Sequence, residues 1–174
     1  MKVTITGATG LLGSRLVAAL KARGDEVTAL SRDPARASEK LGMPAERWDL
    51  LAGPAPADAL SGRDGVIHLA GEPVAQRWSA EARGRIRSSR VQGTANLVAA
   101  LEAADPRPRV LVSASASGIY GDRGPEELSE DASPGDDFLA EVCIGWEAAA
   151  DRASELGVRV AKLRTGIVLD VNGG

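Results

Sequence analysis

The chain has 174 residues, of which 44% are hydrophobic and 26% charged, and its formal net charge is -3 at pH 7. This size and balance are typical of one soluble globular domain, and the charge excludes the strongly basic surface of a nucleic-acid-binding protein. No apolar run approaches the about 20 residues of a membrane span, and no signal-peptide pattern is present. We therefore expect a cytoplasmic protein with neither membrane nor nucleic-acid partners.

The chain contains one cysteine, Cys143, and one histidine, His68. A single cysteine excludes a disulfide within the chain and fits a reducing compartment. One cysteine and one histidine are too few ligands for a structural zinc site, so we expect no metal.

A glycine-rich turn near the amino terminus joins a predicted strand to a predicted helix. Residues 3–6 are an apolar, β-branched run that predicts a buried strand. Residues 11–23 carry leucines four positions apart, which predicts a helix with an apolar inner face. Gly7 and Gly10 lie between the two, and Gly13 lies in the first turn of the helix.

Strand, glycine turn and helix in this order form the context of a dinucleotide site. Gly7 permits a tight turn, Gly10 lets backbone approach a pyrophosphate, and Gly13 lets the helix pack closely on the strand. The helix N-terminus then offers free N–H groups to the phosphates. The spacing of the glycines is GxxGxxG. The alternative is a tight turn that binds no ligand. Three glycines raise the backbone entropy lost on folding, a cost that a plain turn does not require. The other cofactor contacts predicted in this loop are Thr9, Leu11 and Leu12.

The end of the second predicted strand, residues 26–30, indicates which dinucleotide is bound. An acidic residue here binds the ribose hydroxyls of NAD in a Rossmann fold, whereas this chain has Arg32, with Ser31 before it and Arg36 after it. A guanidinium suits a 2′-phosphate, so the sequence favours NADP, with NAD as the alternative. The alternative for Arg32 is a solvent-exposed charge in a loop. Asp33 either favours NAD or caps the next helix.

Two further strand ends extend the predicted cofactor site. A brief third strand ends at Asp49, whose carboxylate either accepts from the adenine amino group or caps the next turn. A fourth strand at 65–69 leads into Ala70 and Gly71, small residues against which a cofactor can lie. The neighbouring predicted contacts are Leu50 and Leu69. His68 lies inside the fourth strand, where we expect a hydrogen-bonded core residue and assign no acid–base role.

Ser79 is a predicted N-cap for a long helix that reaches residue 104. The first half of this helix carries four arginines: Arg83, Arg85, Arg87 and Arg90. We expect most of them to be solvated, the alternative being charge directed toward an anionic substrate.

The remaining elements continue the alternation of strands and helices. A fifth strand at 109–114, an acidic loop at 122–137, a helix at 138–156 and a sixth strand at 158–163 follow in order. This pattern predicts an α/β fold, a doubly wound Rossmann-type parallel sheet with helices on both faces. Residues 1–174 are then one NAD(P)-binding domain.

With these stretches identified, the chain resembles the NAD(P)-dependent epimerase/dehydratase family of extended short-chain dehydrogenases/reductases. The matching segments are residues 6–13, 49–50, 68–71, 93–97, 120–121 and 163–166. Residues 68–73, Arg77-Trp78, Ser89-Arg90 and Trp146-Glu147 are similar to an epimerase-like subgroup that is also labelled cell-division-inhibitor-like. The resemblance spans essentially the whole chain.

The resemblance implies an NADP-dependent epimerase-like protein or oxidoreductase that acts on a small hydroxyl or carbonyl compound of the sugar-nucleotide type. It also implies cofactor contacts from Ser115 and Thr165, and it allows a homodimer. Relatives continue into a substrate-binding lobe, which residues 1–174 lack by this comparison.

One departure from the family pattern concerns the catalytic residues. The family uses a Tyr-x-x-x-Lys pair and a hydroxyl side chain, because a tyrosine needs a nearby cation to act as a base at neutral pH. The only tyrosine here is Tyr120, and the residue four positions on is Gly124. Matching Glu147 to the family glutamate places Leu139 at the tyrosine position and Cys143 at the lysine position.

Two side chains remain as catalytic candidates, Ser115 and Cys143. Ser115 flanks Ala116, which occupies the hydroxyl position of the family, and Cys143 is either an acid or nucleophile or a small packed residue. Two functions therefore stay open: an enzyme with an unusual proton donor, or an NADP(H)-binding sensor or interaction module without turnover.

Overall fold

Six parallel strands form one sheet in the computed structural model, which describes residues 1–170. The strands are β1 (Lys2–Thr6), β2 (Glu26–Ser31), β3 (Ala45–Arg47), β4 (Gly65–His68), β5 (Val110–Ala116) and β6 (Arg159–Thr165). Their order is β3-β2-β1-β4-β5-β6, so the strand order reverses between β1 and β4. This is the doubly wound Rossmann arrangement that the sequence predicts, and it is confirmed.

Four α-helices connect the strands. They are α1 (Leu11–Ala22), α2 (Pro34–Leu41), α3 (Ala80–Ala103) and α4 (Phe138–Asp151), with 3-10 turns at Ala57–Ala59, Ser117–Tyr120 and Arg152–Leu156. One hydrophobic cluster fills the space between the sheet and α1, and a second fills the space between the sheet and α3 and α4. The sheet therefore has helices on both faces. No helix within residues 1–170 is long and apolar enough to cross a bilayer.

The inner face of α1 differs from the predicted leucine face. The buried residues are Gly13, Val17 and Leu20, whereas Leu12 is 42% exposed. The reason is the close approach at Gly13, where an added Cβ would lie 2.3 Å from the carbonyl oxygen of Gly7. The turn of α1 that carries this glycine must face the sheet, which rotates Leu12 outward.

Two strand ends also differ from the sequence prediction. β3 ends at Arg47 rather than at Asp49, because Asp49 turns the chain by accepting a hydrogen bond from the N–H of Leu51 at 3.0 Å. β5 is longer than predicted and runs to Ala116, which pairs with Thr165 of β6. This longer pairing places the residues after β5 at the same edge of the sheet as the glycine turn.

Candidate functional site

The glycine turn after β1 has the geometry that a close backbone approach requires. Gly7 has a φ of +69°, and a Cβ there would lie 2.8 Å from the backbone nitrogen of Ala70. The N–H of Gly10 donates to the carbonyl of Gly7 at 3.0 Å, closing the turn. Together with the packing at Gly13, these contacts leave no room for side chains on the inner surface of the turn.

The N-terminus of α1 is unlike those of the other three α-helices. A side chain caps each of those helices, namely Asp33 for α2, Ser79 for α3 and Asp137 for α4. By contrast, α1 has no side-chain cap and no acidic residue in its first turn. The positive end of its dipole is thus left for an external anion, which is the arrangement of a phosphate-binding helix.

A groove of about 430 Å³ lies at the carboxyl ends of β1, β2 and β4, beside this turn. Ten of the residues predicted from sequence as cofactor contacts line it: Gly7, Thr9, Gly10, Ser31, Arg32, Asp49, Leu50, Leu69, Ala70 and Gly71. Sequence reasoning missed nine others: Ala8, Ala29, Leu30, Trp48, Leu51, Glu72, Pro73, Arg85 and Ser89. The groove thus extends from the end of β2, past the glycine turn, to the segment that follows β4.

Several predicted site residues do not line this groove. They are Leu11, Leu12, Gly13, Arg36, Ser115, Cys143 and Thr165. Leu11 instead lines a second cavity with Arg15 and Lys40. Gly13 acts in packing, and Arg36 is exposed and contributes its backbone N–H to the cap of α2. Thr165 donates to the carbonyl of Ser115 at 3.3 Å.

The two acidic residues with alternative roles both make capping contacts. Asp33 accepts from the N–H of Arg36 at 3.1 Å, and Asp49 accepts from the N–H of Leu51. Asp33 is therefore engaged at the start of α2, while Arg32 lines the groove. The capping alternative is thus confirmed for both carboxylates, and the contact of Asp49 with adenine stays a prediction.

The groove wall after β4 is held by α3. Ser89 accepts from the N–H of Glu72 at 3.0 Å, and Arg90 donates to the carbonyl of Glu72 at 2.9 Å. The side chain of Glu72 accepts from Gln76 at 3.2 Å and from Arg85 at 3.1 Å. The hydrogen bond from Gln76 and, to a smaller extent, the one from Arg85 hold the pKa of Glu72 below its usual range. Glu72 is therefore an ionised wall residue at neutral pH.

His68 is a buried core residue, as expected from the sequence. Its Nδ1 lies 2.6 Å from the hydroxyl of Thr6, and its Nε2 lies 3.1 Å from the hydroxyl of Thr94. The hydroxyl of Thr6 also accepts from the N–H of Ala70 at 3.2 Å. Burial lowers the pKa of His68 to about 4. This chain of hydrogen bonds fixes Ala70 at the groove.

Residues 93–97 of α3 contact Leu50, which lines the groove, and the neighbouring His68. A Cβ on Gly93 would lie 2.4 Å from Leu50, so this glycine makes room for a groove residue. Asn96 donates to the carbonyl of Leu50 at 2.7 Å, and Thr94 contacts His68. The sequence singled out this segment only as a family resemblance, because its contacts join residues that are far apart in the chain.

Ser115 faces α4 and not the groove. Its hydroxyl donates to Glu147 at 2.6 Å, and Glu147 also accepts two hydrogen bonds from Arg164, at 2.8 and 2.9 Å. Arg164 in turn donates to the hydroxyl of Tyr120 at 2.8 Å. The hydrogen bonds from Arg164 hold the pKa of Glu147 below its usual range. This geometry gives Ser115 a structural contact, and its predicted roles toward cofactor and substrate have no support from its position.

Cys143 is buried in α4, with 4% of its surface exposed. Burial raises the pKa of its thiol, and a hydrogen bond from the backbone of Ala116 offsets this only in part. A thiol in this state is protonated at neutral pH and is a poor nucleophile. The geometry therefore favours the packed residue over the catalytic alternative.

Three of the four arginines in the first half of α3 lie on its exposed side, and each has a defined contact. Arg85 pairs with Glu72, Arg87 pairs with Glu141 at 2.6 Å, and Arg83 lies against two aromatic rings.

Within residues 1–170, no three His, Cys, Asp or Glu side chains are grouped to hold a metal ion.

Comparison with known proteins identifies the relatives of this chain. The model of the NAD dependent epimerase/dehydratase family matches residues 3–165. An epimerase family protein of Mycobacterium bovis is 39% identical over 173 residues, which are 99% of this chain and 55% of that protein. The chloroplastic SDR39U1 homolog of Arabidopsis thaliana is 37% identical over 100% of this chain and 51% of its own length. The chain thus spans about half the length of these curated relatives.

Two solved structures show the same fold over the whole chain. The nucleoside-diphosphate sugar epimerase of Corynebacterium glutamicum has a TM-score of 0.83 and 41% identity, over 100% of this chain and 35% of that chain. The human epimerase family protein SDR39U1 (isoform 2), solved with NADPH, has a TM-score of 0.82 and 32% identity, over 100% of this chain and 56% of that chain.

Proposed function

We propose that this chain, which belongs to the NAD dependent epimerase/dehydratase family, binds NADP in the groove beside the glycine turn. The observation that carries the choice of NADP is the pair Arg32 and Asp33. Arg32 lines the groove, whereas Asp33 is engaged in the cap of α2. A guanidinium at the end of β2 offers charge and planar donors to a 2′-phosphate, and the carboxylate next to it, Asp33, accepts from the N–H of Arg36. The human relative solved with NADPH supports this choice.

The residues present fit such a cofactor. The turn at Gly7 and Gly10 is free of side chains, so backbone can approach the pyrophosphate, and the uncapped end of α1 supplies N–H groups to it. Trp48 and Leu50 give the groove an apolar wall next to the end of β2. In this proposal Arg32, with Ser31 beside it, binds the 2′-phosphate.

We infer that the reaction is oxidoreduction or epimerisation of a small hydroxyl or carbonyl compound of the sugar-nucleotide type. The nicotinamide supplies hydride transfer when bound, and the protein supplies orientation and exclusion of water. The relative from Corynebacterium glutamicum, a nucleoside-diphosphate sugar epimerase, supports this substrate class. Because the chain spans only about half of the curated relatives, we propose that residues 1–174 are the cofactor domain. A cytoplasmic location and a homodimer stay predictions.

The second candidate is an NADP(H)-binding sensor or interaction module without turnover. The observation that favours it is the state of the catalytic positions. Leu139 stands where the family has tyrosine, and Cys143, where the family has lysine, is buried with a raised pKa. Leu139 has no ionisable group and Cys143 carries no positive charge, so the two residues do not reproduce the pair of the family, a tyrosine beside a cation.

Titration of the full-length protein with NADPH and with NADH, followed by nicotinamide fluorescence, tests the cofactor assignment. We expect NADPH to bind at least about tenfold more tightly, because a phosphate–guanidinium contact is a charge-assisted hydrogen bond. Equal affinity would contradict the role of Arg32, and no binding would contradict the cofactor site itself. Mixing the NADPH complex with a panel of ketones and sugar nucleotides, and following nicotinamide oxidation, then separates the enzyme from the sensor.

A further inference from the structure

Lys40 lies in the last turn of α2, yet its side chain reaches the glycine turn that follows β1. Its Nζ donates to the carbonyl oxygen of Thr9 at 2.8 Å, although the two residues are 31 positions apart in the sequence. Within residues 1–170, no carboxylate pairs with Lys40. The positive charge of this side chain is therefore directed at the backbone of the turn.

The peptide unit that Lys40 contacts lies between two open spaces. Thr9 and Gly10 line the groove, and they also line a second cavity of about 540 Å³ beside α1. Lys40 lines only the second cavity. The peptide that joins Thr9 to Gly10 thus separates the proposed cofactor groove from a space that contains a lysine.

Both polar groups of this peptide are engaged by the protein. The N–H of Gly10 donates to the carbonyl of Gly7 at 3.0 Å, and the carbonyl of Thr9 accepts from Lys40. Because the N–H and C=O of a trans peptide point in opposite directions, these two contacts fix the orientation of the whole unit. The carbonyl oxygen of Thr9, which carries a partial negative charge, is held on the side of Lys40.

The other orientation of this peptide would disfavour a phosphate. A flip changes the φ of Gly10, which is -73° in this structure, and a glycine has no Cβ to oppose the change. The flip would break both hydrogen bonds and turn the carbonyl oxygen of Thr9 toward a bound anion, which it would repel. Lys40 stabilises the favourable orientation, and its charge attracts the same anion across the peptide.

The usual role of a lysine at a helix C-terminus is filled in α2 by another residue. Such a lysine binds the last carbonyls of the helix, and here Lys21 of α1 does so, since its Nζ donates to the carbonyls of Leu41 at 3.0 Å and Gly42 at 2.9 Å. Lys40 binds Thr9 instead. Two exposed lysines therefore make the same kind of contact, one at the end of α2 and one at the glycine turn.

We propose that Lys40 is a positioning residue for the cofactor, which holds the glycine turn in the orientation that accepts the pyrophosphate. This inference rests on the proposed NADP site. The pyrophosphate is common to NADPH and NADH, whereas the 2′-phosphate that we assign to Arg32 is present only in NADPH. Lys40 therefore raises the affinity for both nucleotides by the same factor and leaves the preference between them to Arg32.

The test is a fluorescence titration of the full-length protein and its variants with NADPH and with NADH. Lys40→Met removes the charge and the donor but keeps a long side chain. We expect both nucleotides to bind about fivefold more weakly to Lys40→Met, with the ratio of their affinities unchanged. Lys40→Arg, which restores a charged donor, should recover most of the loss for both nucleotides.

Lys21→Met is the matched control, because it removes an exposed lysine that also binds backbone carbonyls but lines neither cavity. We expect it to leave both affinities unchanged. Weaker binding of NADPH alone by Lys40→Met would overturn the inference in favour of a contact with the 2′-phosphate. Unchanged binding, or an equal loss in Lys21→Met, would reduce Lys40 to a surface contact.

Failure of the proposed cofactor site is a separate outcome, in which the unchanged protein binds neither nucleotide, and this inference then fails with it. If the unchanged protein binds both nucleotides equally, the choice of NADP fails, whereas the comparison of Lys40→Met with Lys21→Met still tests the role of Lys40. Thermal unfolding checks that each variant is folded, and Lys40→Gln replaces Lys40→Met if that variant is not.

Discussion

The hydroxyl of Ser115 on β5 donates to Glu147 on α4 at 2.6 Å, inside the packed face of the sheet. Ser115 is 2% exposed and Glu147 is 6% exposed. Arg164 of β6 completes the contact by binding both oxygens of the same carboxylate. One buried carboxylate therefore ties two strands to one helix, next to the carboxyl edge of the sheet.

Ser115→Ala is expected to reduce stability and to leave cofactor binding unchanged. Loss of a buried hydrogen bond to a charged group costs about 2 kcal/mol, measured as the free energy of unfolding in urea. Ser117→Ala, two residues on and exposed, is the control and should have little effect. A loss of NADPH affinity or turnover without a loss of stability would instead support the direct role that the sequence predicts for Ser115.

Arg32→Asp is expected to reverse the cofactor preference. NADPH should bind at least about tenfold more weakly, since an anion replaces the cation that we propose binds the 2′-phosphate, while NADH binding is kept or improved. The measurement is a fluorescence titration with each nucleotide. Arg36→Gln changes an exposed arginine that does not line the groove, so it should have a smaller effect. An equal loss of both nucleotides in Arg32→Asp would contradict the assignment.

Gly13→Ala is expected to destabilise the protein by about 2 kcal/mol or more, because its Cβ would meet backbone that cannot move without shifting α1. Gly84→Ala is the opposite case, since no atom lies within 4 Å of a Cβ there. Placed inside α3, this alanine should stabilise by up to about 1 kcal/mol. Thermal unfolding measures the change in stability of each variant, and we expect the two changes to have opposite signs. Equal changes in stability would contradict the packing described for α1.

His68 is expected to make stability depend on pH between about 4 and 6.5. Burial lowers its pKa from 6.5 to about 4 in the folded state, so below pH 6.5 the unfolded chain binds a proton that the folded chain does not. Stability is therefore complete above pH 6.5 and falls as the pH drops toward 4, by up to about 3 kcal/mol. Urea unfolding across this range, compared with His68→Gln, isolates the contribution, and parallel pH profiles for the two proteins would refute it.

Cys143 is expected to react slowly with thiol reagents in the folded protein. Burial and a raised pKa both reduce the thiolate available for reaction. The modification rate at neutral pH should be at least about tenfold below that of the urea-unfolded chain. Reaction as fast as that of the unfolded chain would restore Cys143 as a candidate nucleophile.

Local sequence determined the central part of this site. A strand, a glycine turn and a helix that follow one another directly form one connected unit, and Gly7 and Gly13 stand where a Cβ would collide with backbone. The position of Arg32 at the end of β2 follows from the same connected unit. The glycine turn and the alternation of strands and helices were predictable because each of these patterns is formed by residues that are neighbours in the chain.

Only the tertiary structure decided which way side chains point and which distant residues meet. Both faces of β5 carry small residues, so the alternation of Ser115 and Ala116 does not reveal which one faces α4. Likewise Gly71, Arg90 and Trp146 belong to three separate segments, and only the packing of α3 between β4 and α4 brings them together. Contacts of this kind depend on the rotation and register of whole elements, which the burial of the complete core sets and no local pattern encodes.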